Sequence, residues 1–175
     1  MSRGVRITGG TLRGRVLAGS VPRGVRPSGS RLREALFSMV GQDLTGWTVC
    51  DAFGGTGLLA FEAASRGAGP ITIVEKNRAA ASGIRSSAAE LAVSVSLRLA
   101  DARTVLTGGS WDLVMLDPPY EESAEVWVEL AAPATRRILV VEHSAETVLP
   151  ESVGSLQLDR RRRYGDSALT LFRPR

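Results

Sequence analysis

The chain has 175 residues and a mass of 18.6 kDa, with 43% hydrophobic residues, 23% charged residues and a mean hydropathy near zero. This composition predicts one globular domain and excludes a disordered tail, a collagen-like or repeat array and a disulfide-rich miniprotein. The net charge is +4, but the first 33 residues carry eight arginines and no acidic residue, which leaves −4 for the rest of the chain. This asymmetry favours a basic, polyanion-binding extension on a mildly acidic body over a merely solvated basic surface.

The sequence also bears on where the protein works. No uncharged apolar run is long enough for a membrane helix, and the N-terminus opens no apolar secretory segment. Cys50 is the single cysteine and has no second cysteine for a disulfide or a metal site. We therefore expect a soluble, cytoplasmic protein without a metal, and we take a monomer as the default.

The N-terminal third is predicted to contain a hairpin, a loop and a helix. Residues 3–17 alternate weakly around glycines, which predicts the hairpin, and residues 18–29 contain the prolines and glycines of a loop. Apolar residues at helical spacing predict a helix over residues 30–41. Arg31 and Arg33 fall off its apolar stripe and are expected to be available to solvent or to a ligand.

From residue 47, short apolar runs alternate with amphipathic stretches, which predicts parallel β-α-β units with helices on both sheet faces. Strands are predicted over residues 47–53, 71–75, 93–100, 112–117 and 137–142. Helices are predicted over residues 58–67, 77–91, 102–107 and 121–134. Residues 155–164 and 167–173 are joined by so short a link that they must pair antiparallel. The predicted body, residues 30–175, is a mostly parallel, doubly wound α/β sheet of seven strands with an antiparallel C-terminal edge, preceded by the extension over residues 1–29.

Four of the first five predicted strands end on or just before an acidic residue that we take as a ligand candidate. Open α/β sheets bind ligands at the carboxyl ends of their strands, near the point where the strand order switches direction. A switch after the first strand would place the four acids in one line of about 14 Å at the usual strand spacing. Their predicted spatial order is Asp101, Glu75, Asp51 and Asp117. Such a line of acceptors suits an extended nucleoside that carries hydrogen-bond donors and a positive charge.

The loop after the first predicted strand, residues 51–57, is rich in glycine. Gly55, Gly57 and Ala60 formally satisfy the dinucleotide-binding fingerprint, and Glu75 follows about 20 residues later. That match is weak when it stands alone, because the chemistry of the surrounding residues decides which ligand the loop takes.

The acids around this loop favour a cationic ligand over a pyrophosphate. A pyrophosphate prefers backbone N–H groups, and Asp51 and Asp101 would repel it, whereas they would attract the amino and sulfonium groups of S-adenosylmethionine. Gly55 and Gly57 would let the backbone approach the ligand closely. Glu75 would accept from the ribose hydroxyls and Asp101 from the adenine amine, although a helix N-cap is about as good an interpretation of Asp101.

The sharpest motif is Asp117-Pro118-Pro119-Tyr120, which directly follows the apolar run over residues 113–116. Consecutive prolines stop the strand and present carbonyls that no local N–H group can claim. The Asp117 carboxylate and the Pro118 carbonyl would hold both N–H groups of a planar exocyclic amine and favour a pyramidal nitrogen. Asp117 would also receive the released proton, and Tyr120 offers a face on which a base can stack.

Other charged groups have simpler interpretations. Glu62 and Arg66 stand four residues apart on a predicted helix, which favours a surface ion pair. The four arginines at residues 160–163 would either extend a phosphate-binding surface or protect an exposed edge strand. His143 follows a predicted strand without a partner pattern and is interpreted as structural.

Segments spread over nearly the whole chain match one known family. They are residues 6–10, 13–15, 26–28, 31–37, 51–57, 62–68, 74–76, 117–120 and 164–167. In them the chain resembles the bacterial 16S ribosomal RNA guanine-N2 methyltransferases that modify guanine 966 in the usual rRNA numbering. Gly54, Thr56 and Ser28 depart conservatively from the commoner family residues, and residues 121–136 are short for the family.

The resemblance implies S-adenosylmethionine as methyl donor, a Rossmann-like class I methyltransferase fold and, as substrate, 16S rRNA within the small ribosomal subunit or its assembly intermediate. It also implies that the N-terminal extension grips RNA, in agreement with its charge. The residues predicted to bind the donor are Asp51, Phe53, Gly55, Gly57, Glu75 and Asp101. The predicted catalytic residues are Asp117, Pro118, Pro119 and Tyr120, and the predicted RNA-binding residues are Arg6, Arg13, Arg15, Arg26 and Arg31.

Three alternatives remain open at this point. The D-P-P-Y motif also occurs in adenine-N6 methyltransferases of DNA, although 175 residues leave little room for a separate target-recognition domain. Protein glutamine methyltransferases typically carry asparagine at position 117, and they would leave the basic extension without a purpose. A non-catalytic RNA-binding module that assists ribosome assembly would retain the extension without using the D-P-P-Y motif.

Overall fold

The computed structural model describes residues 5–18 and 29–175 and contains one eight-stranded sheet with helices on both faces. The α-helices are α1 (Ser30–Val40), α2 (Leu58–Ser65), α3 (Arg78–Leu91), α4 (Ala102–Leu106) and α5 (Ala124–Ala131), and a short 3-10 turn follows over Ala132–Ala134. The strands are β1 (Val49–Asp51), β2 (Ile71–Val74), β3 (Ser96–Arg98), β4 (Trp111–Leu116), β5 (Thr135–Ser144), β6 (Ser152–Val153), β7 (Leu156–Tyr164) and β8 (Ser167–Pro174). Among the described residues, no helix combines the length and the apolar character needed to cross a membrane.

The strand order across the sheet is β3-β2-β1-β4-β5-β8-β7-β6. Pairing is parallel from β3 to β5, and β8, β7 and β6 add an antiparallel edge, as predicted. The order switches after β1, which confirms the predicted order of the four strand-end acids. The predicted count of seven strands is wrong by one, because the two-residue strand β6 is too short to produce a hydrophobic pattern.

The helices cover the sheet in two hydrophobic layers. Phe37 of α1, Phe61 of α2 and Ile84 of α3 lie in the core on one face, together with Val49 and Met115 of the sheet. We refer to this side as the α1 face. The opposite layer is built around Trp127 and Val128 of α5, which pack with alternate sheet residues that point the other way. Such two-sided burial is the reason that the central strands read as continuous apolar runs.

Residues 5–18 lie against the α1 face. One antiparallel bridge joins Arg6 to Val16, and Ile7 and Leu17 are buried in the core of that face. A regular two-stranded hairpin, which the sequence predicts over residues 3–17, is not shown by the described residues. The predicted loop at residues 18–29 lies largely outside the described part of the chain.

A buried carboxylate ties this segment to α1 and α2. Glu62 is completely buried, and it accepts hydrogen bonds from the Thr8 backbone and hydroxyl at 2.8 and 2.9 Å. Arg66 donates to it at 2.6 Å and Arg33 at 3.4 Å. The expected surface pair of Glu62 and Arg66 is therefore wrong, and so is the expected availability of Arg33, which is only 5% exposed. A buried charge of this kind needs several partners, and these come from three separate segments.

Candidate active site

Two cavities meet at the turn that follows β4. The first has a volume of about 420 Å³ and lies above the carboxyl ends of β1, β2, β3 and β4. The second has a volume of about 300 Å³ and lies on the β5 side. Residues 117–120, which we call the D-P-P-Y corner, line both cavities. Two ligands placed in the two cavities would therefore come together at this corner.

The strand-end acids lie together around the first cavity, which Asp51, Glu75, Asp101 and Asp117 all line. Glu75 accepts hydrogen bonds from the Gly55 and Asn77 backbones, both at 2.7 Å, so it also braces the glycine loop. Asp101 is exposed, caps α4 and accepts from the Arg103 backbone at 2.8 Å. The N-cap interpretation of Asp101 is thus confirmed. Its second carboxylate oxygen lies 3.4 Å from the Arg103 guanidinium, and the residue also lines the first cavity.

The glycine loop contributes differently at its two predicted glycines. Gly55 lines the first cavity, whereas Gly57 is buried behind it and begins α2 as its N-cap. Gly57 has a φ of 79°, in the left-handed region that favours glycine, and a Cβ there would meet the ring of Phe61. The loop therefore requires Gly57 for its shape, while Gly55 leaves room on the cavity side.

An aromatic wall closes the first cavity on the α5 side. Phe53 meets Trp127 edge to face, with ring centroids 4.8 Å apart. The Arg103 guanidinium lies 4.4 Å from the centroid of Trp127, and the indole N–H donates to Glu122 at 2.9 Å. The sequence predicts Phe53 as a site residue but not Trp127, since a tryptophan on the apolar stripe of a helix looks like an ordinary core residue.

Burial dominates the electrostatics of the two central aspartates. Asp51 is 1% exposed, and burial raises its pKa to about 7 although the Phe53 backbone donates a hydrogen bond to it. Burial, followed by the charges of Glu142 and Asp51, raises the pKa of Asp117 to about 8. A carboxyl group with a pKa near neutrality is suited to accepting a proton during a reaction.

Glu142 is a candidate that the sequence reasoning missed. The pair Leu116–Val141 is the last in the register of β4 and β5, which places Asp117 and Glu142 side by side one step further. Glu142 lines the second cavity together with Asp117. The signal was present in the sequence, because the fifth predicted strand ends on Glu142 just as the other strands end on acids.

The D-P-P-Y corner is held in shape by neighbouring groups. The Glu122 backbone donates to the Pro119 carbonyl at 2.9 Å, whereas the Pro118 carbonyl has no hydrogen bond from residues 5–18 or 29–175. The Tyr120 hydroxyl lies 2.6 Å from the Ser167 hydroxyl at the start of β8, and 63% of the tyrosine is exposed. The corner therefore presents a fixed aromatic ring and a carbonyl beside the carboxylate of Asp117.

The predicted RNA-binding arginines that the structure describes lie apart from both cavities. Arg6, Arg13, Arg15 and Arg31 are exposed, while Arg26 falls outside the described residues. Arg6 donates to the Gly14 carbonyl at 2.7 Å, and Arg15 donates to a carbonyl near the end of α3 at 2.9 Å. Neither contact uses an acidic partner, so these two guanidinium charges are not neutralised.

Two remaining predictions concern His143 and metals. His143 is buried and its ring nitrogens lie 2.8 Å from the Thr170 hydroxyl and from the Ser144 carbonyl, which agrees with a structural role. In the part of the chain that the structure describes, no group of three histidine, cysteine, aspartate or glutamate side chains is arranged to hold a metal ion.

The chain is similar to known proteins over nearly its whole length. A family model described as Conserved hypothetical protein 95 matches residues 5–173. The ribosomal RNA small subunit methyltransferase D of Escherichia coli K12 is 30% identical over 176 residues, which cover 96% of this chain and 89% of that protein. The solved structure of the Escherichia coli protein yhhF, named as a candidate methyltransferase, has a TM-score of 0.83 and 29% identity over 98% of both chains. A conserved hypothetical protein of Streptococcus pyogenes has a TM-score of 0.75 and 32% identity over 82% of this chain and 95% of that one.

Proposed function

The chain belongs to the Conserved hypothetical protein 95 family, the family of the small-subunit rRNA methyltransferase D proteins, and we propose that it methylates the exocyclic N2 amine of a guanine in 16S rRNA with S-adenosylmethionine as donor. The observation that carries the proposal is the D-P-P-Y corner at the junction of two cavities. A methyl transfer needs two ligands whose reacting atoms meet, and this junction offers such a place.

The first cavity fits the donor in size and in charge. Its volume of about 420 Å³ falls within the range of small-molecule sites. Its acidic rim matches a ligand that carries amino and sulfonium cations, and the aromatic wall of Phe53 and Trp127 offers apolar surface to an adenine ring. When bound, S-adenosylmethionine supplies an electrophilic methyl group on a sulfonium centre that leaves as a neutral thioether.

The second cavity is proposed to hold the target base. The Asp117 carboxylate and the Pro118 carbonyl accept the two N–H groups of the exocyclic amine, which frees the nitrogen lone pair from conjugation with the ring. The Glu142 carboxylate accepts a hydrogen bond from the N1–H group of guanine. Adenine has an unprotonated nitrogen at N1, and the carboxylate would repel that acceptor. Tyr120, fixed by Ser167, stacks on the base.

Asp117 also provides an acceptor for the proton that N2 loses. The new bond joins the donor methyl carbon to N2, the carbon–sulfur bond breaks with its electron pair remaining on sulfur, and one N2 proton must leave. The ionised Asp117 carboxylate takes that proton, and its pKa of about 8 allows it to hold the proton until the product departs.

The test uses methyl-labelled S-adenosylmethionine with small ribosomal subunits that lack base methylation, beside naked 16S rRNA and DNA. We expect label on N2 of one guanine, and we expect Asp117→Ala to abolish transfer while donor binding persists. Asp43→Asn, at an exposed aspartate outside both cavities, serves as the matched control and should stay active. Label on DNA adenine alone would overturn the substrate, and full activity of Asp117→Ala would overturn the mechanism. Donor binding without any transfer would favour the assembly-factor alternative.

A further inference from the structure

Strand β7 places Arg160 and Arg162 on the α1 face, because their partners Leu171 and Leu169 on β8 belong to the core layer of that face. Arg162 pairs with Leu169 of β8, and Leu169 pairs with Glu142 of β5. Directly paired residues on neighbouring strands project to the same side of a sheet. Arg162 therefore lies on the same sheet face as Glu142 and at the same height along the strands. Asp117 lies beside Glu142, one strand further across the sheet.

The strand spacing fixes the distances in this row. Two steps of about 4.8 Å separate Arg162 from Glu142, and a third step brings the total to Asp117 to about 14 Å. A stacked nucleic-acid strand advances about 3.4 Å per nucleotide, so this span corresponds to about four nucleotides. An RNA backbone that passes Arg162 is therefore close enough to deliver one of its bases to the D-P-P-Y corner.

The four arginines of β7 differ in what they contact. Arg161 donates to the carbonyls of Ala145 and Thr147, and Arg163 pairs with Glu146. The side chains of Arg160 and Arg162 are exposed, and neither makes a hydrogen bond or an ion pair with any residue that the structure describes, although their backbones pair with β8. No acidic side chain of the described protein neutralises these two guanidinium groups, so both are available to an anionic ligand.

These two arginines line a groove rather than a flat surface. The groove has a volume of about 440 Å³, and the α1 side of it consists of the small or apolar residues Ala35, Ser38 and Met39. We define the α1–β7 groove by Arg160, Arg162 and these α1 residues. Charged residues that protect an exposed strand edge would account for arginines on β7. They would not account for a groove that lies at the same level of the sheet as Glu142 and Asp117.

The groove leads toward the D-P-P-Y corner along the end of β7. Tyr164 lines the groove at its end, is 37% exposed, and pairs with Ser167 across the β7–β8 turn. Ser167 in turn contacts the hydroxyl of Tyr120. Two exposed tyrosines thus flank one turn, and aromatic rings in that position suit the stacking of unpaired bases.

We propose that the α1–β7 groove binds the sugar-phosphate backbone of the substrate RNA beside the target nucleotide, with Arg160 and Arg162 on phosphates and Tyr164 on a flanking base. This inference rests on the proposed function and assigns a second RNA contact, separate from the N-terminal arginines. We assign RNA as the partner, because two unneutralised guanidinium groups and an aromatic ring suit the phosphates and the unpaired bases of a single-stranded nucleic acid.

The test compares the double variant R160Q/R162Q with R136Q/R137Q. Arg136 and Arg137 lie at the opposite end of β5, and both pair there with Asp112 through half-exposed side chains. Both variants remove two positive charges, so a difference between them reports position rather than net charge. Naked 16S rRNA is the probe, and binding is measured between 50 and 200 mM salt.

Each lost phosphate contact should reduce the slope of log affinity against log salt by about 0.7 to 0.9. We therefore expect R160Q/R162Q to flatten the slope by about 1.4 to 1.8, so that the affinity lost over this salt range shrinks by roughly tenfold. R136Q/R137Q should keep the slope of the original protein to within about half a unit, and donor binding should be unchanged in both variants.

The outcomes separate this inference from the proposed function. A slope unchanged in R160Q/R162Q, or reduced equally in both variants, overturns the groove, as does undetectable RNA binding by the unaltered protein. A position-dependent loss of RNA binding by a protein that transfers no methyl group supports the groove while it overturns the proposed activity. Thermal unfolding of both variants checks that neither result arises from a damaged fold.

Discussion

Replacing Asp117 by asparagine should stabilise the protein at neutral pH while it removes activity. The pKa of Asp117 is about 8, compared with an ordinary value of 3.8. Between these two pH values the unfolded chain has lost the proton while the folded chain retains it. The unfolded state therefore binds fewer protons, and the free energy of unfolding falls as the pH rises through this window. Asparagine has the same shape and no titration, so it removes this dependence.

The size of the effect follows from the two pKa values. A difference of about four units corresponds to a ceiling of about 6 kcal/mol, at about 1.4 kcal/mol per unit. Asp117 borders both cavities, and water in them stabilises its charged form. We therefore expect a gain somewhat below this ceiling, of about 4 kcal/mol at pH 8.5, that shrinks as the pH falls and vanishes only below about pH 4.

Urea unfolding of Asp117→Asn and of the unaltered protein at pH 5, 6, 7 and 8.5 measures this difference. Methyl transfer by the variant should fall by about a hundredfold or more, because the proton acceptor is lost. Asp43→Asn provides the comparison, since hydrogen bonds from Thr45 lower the pKa of that exposed aspartate. That change should give no gain that grows with pH. A difference between Asp117→Asn and the unaltered protein that is absent, or constant from pH 5 to 8.5, would refute the reasoning.

Three further predictions concern other parts of the site and its support. Glu142→Gln removes a negative charge beside Asp117, so the pKa of Asp117 should fall. The rising limb of the pH profile of kcat/KM should then move about one pH unit lower, and an unmoved limb would contradict the proximity of Glu142 and Asp117. Glu62→Ala leaves two buried arginines without their carboxylate and should cost about 3 to 5 kcal/mol of unfolding free energy, measured by urea unfolding; a cost below about 1 kcal/mol would argue against the buried network. Gly57→Ala forces a positive φ and a contact with a core ring, so calorimetry should show donor affinity reduced by about tenfold or more; unchanged affinity would separate the loop from donor binding.

The sequence predicts the sheet well because its signals are local and repeated. Buried parallel strands produce continuous apolar runs, and the turn after each run must carry polar residues. The order of the acids Asp101, Glu75, Asp51 and Asp117 follows once the switch is placed after β1. The two-residue strand β6 escapes prediction, because pairing with β7 and not its own pattern makes it a strand.

The sequence does not predict which charged residues are buried. Glu62 and Arg66 have the spacing of a common surface pair, and only the approach of Thr8 and Arg33 from distant segments makes the site internal. The same limit applies to Trp127, whose position on a helix stripe fits both a core residue and a cavity wall. Contacts between segments far apart in sequence decide these cases, and no local pattern encodes them.

The separation of acids and arginines along one sheet face has a chemical reason. A polyanionic substrate must come close to Glu142 and to the ionised form of Asp117, whose negative charges repel phosphates, so an attractive contact has to lie nearby. An arginine within about 4 to 6 Å would lower the pKa of Asp117 by one to three units and weaken it as a proton acceptor. At about 14 Å, beyond the screening length of about 8 Å at physiological salt, Arg162 can hold a phosphate with little effect on that pKa. We therefore expect R160Q/R162Q to weaken RNA binding without moving the pH profile of methyl transfer, and a shifted profile would show that the two charge groups are coupled.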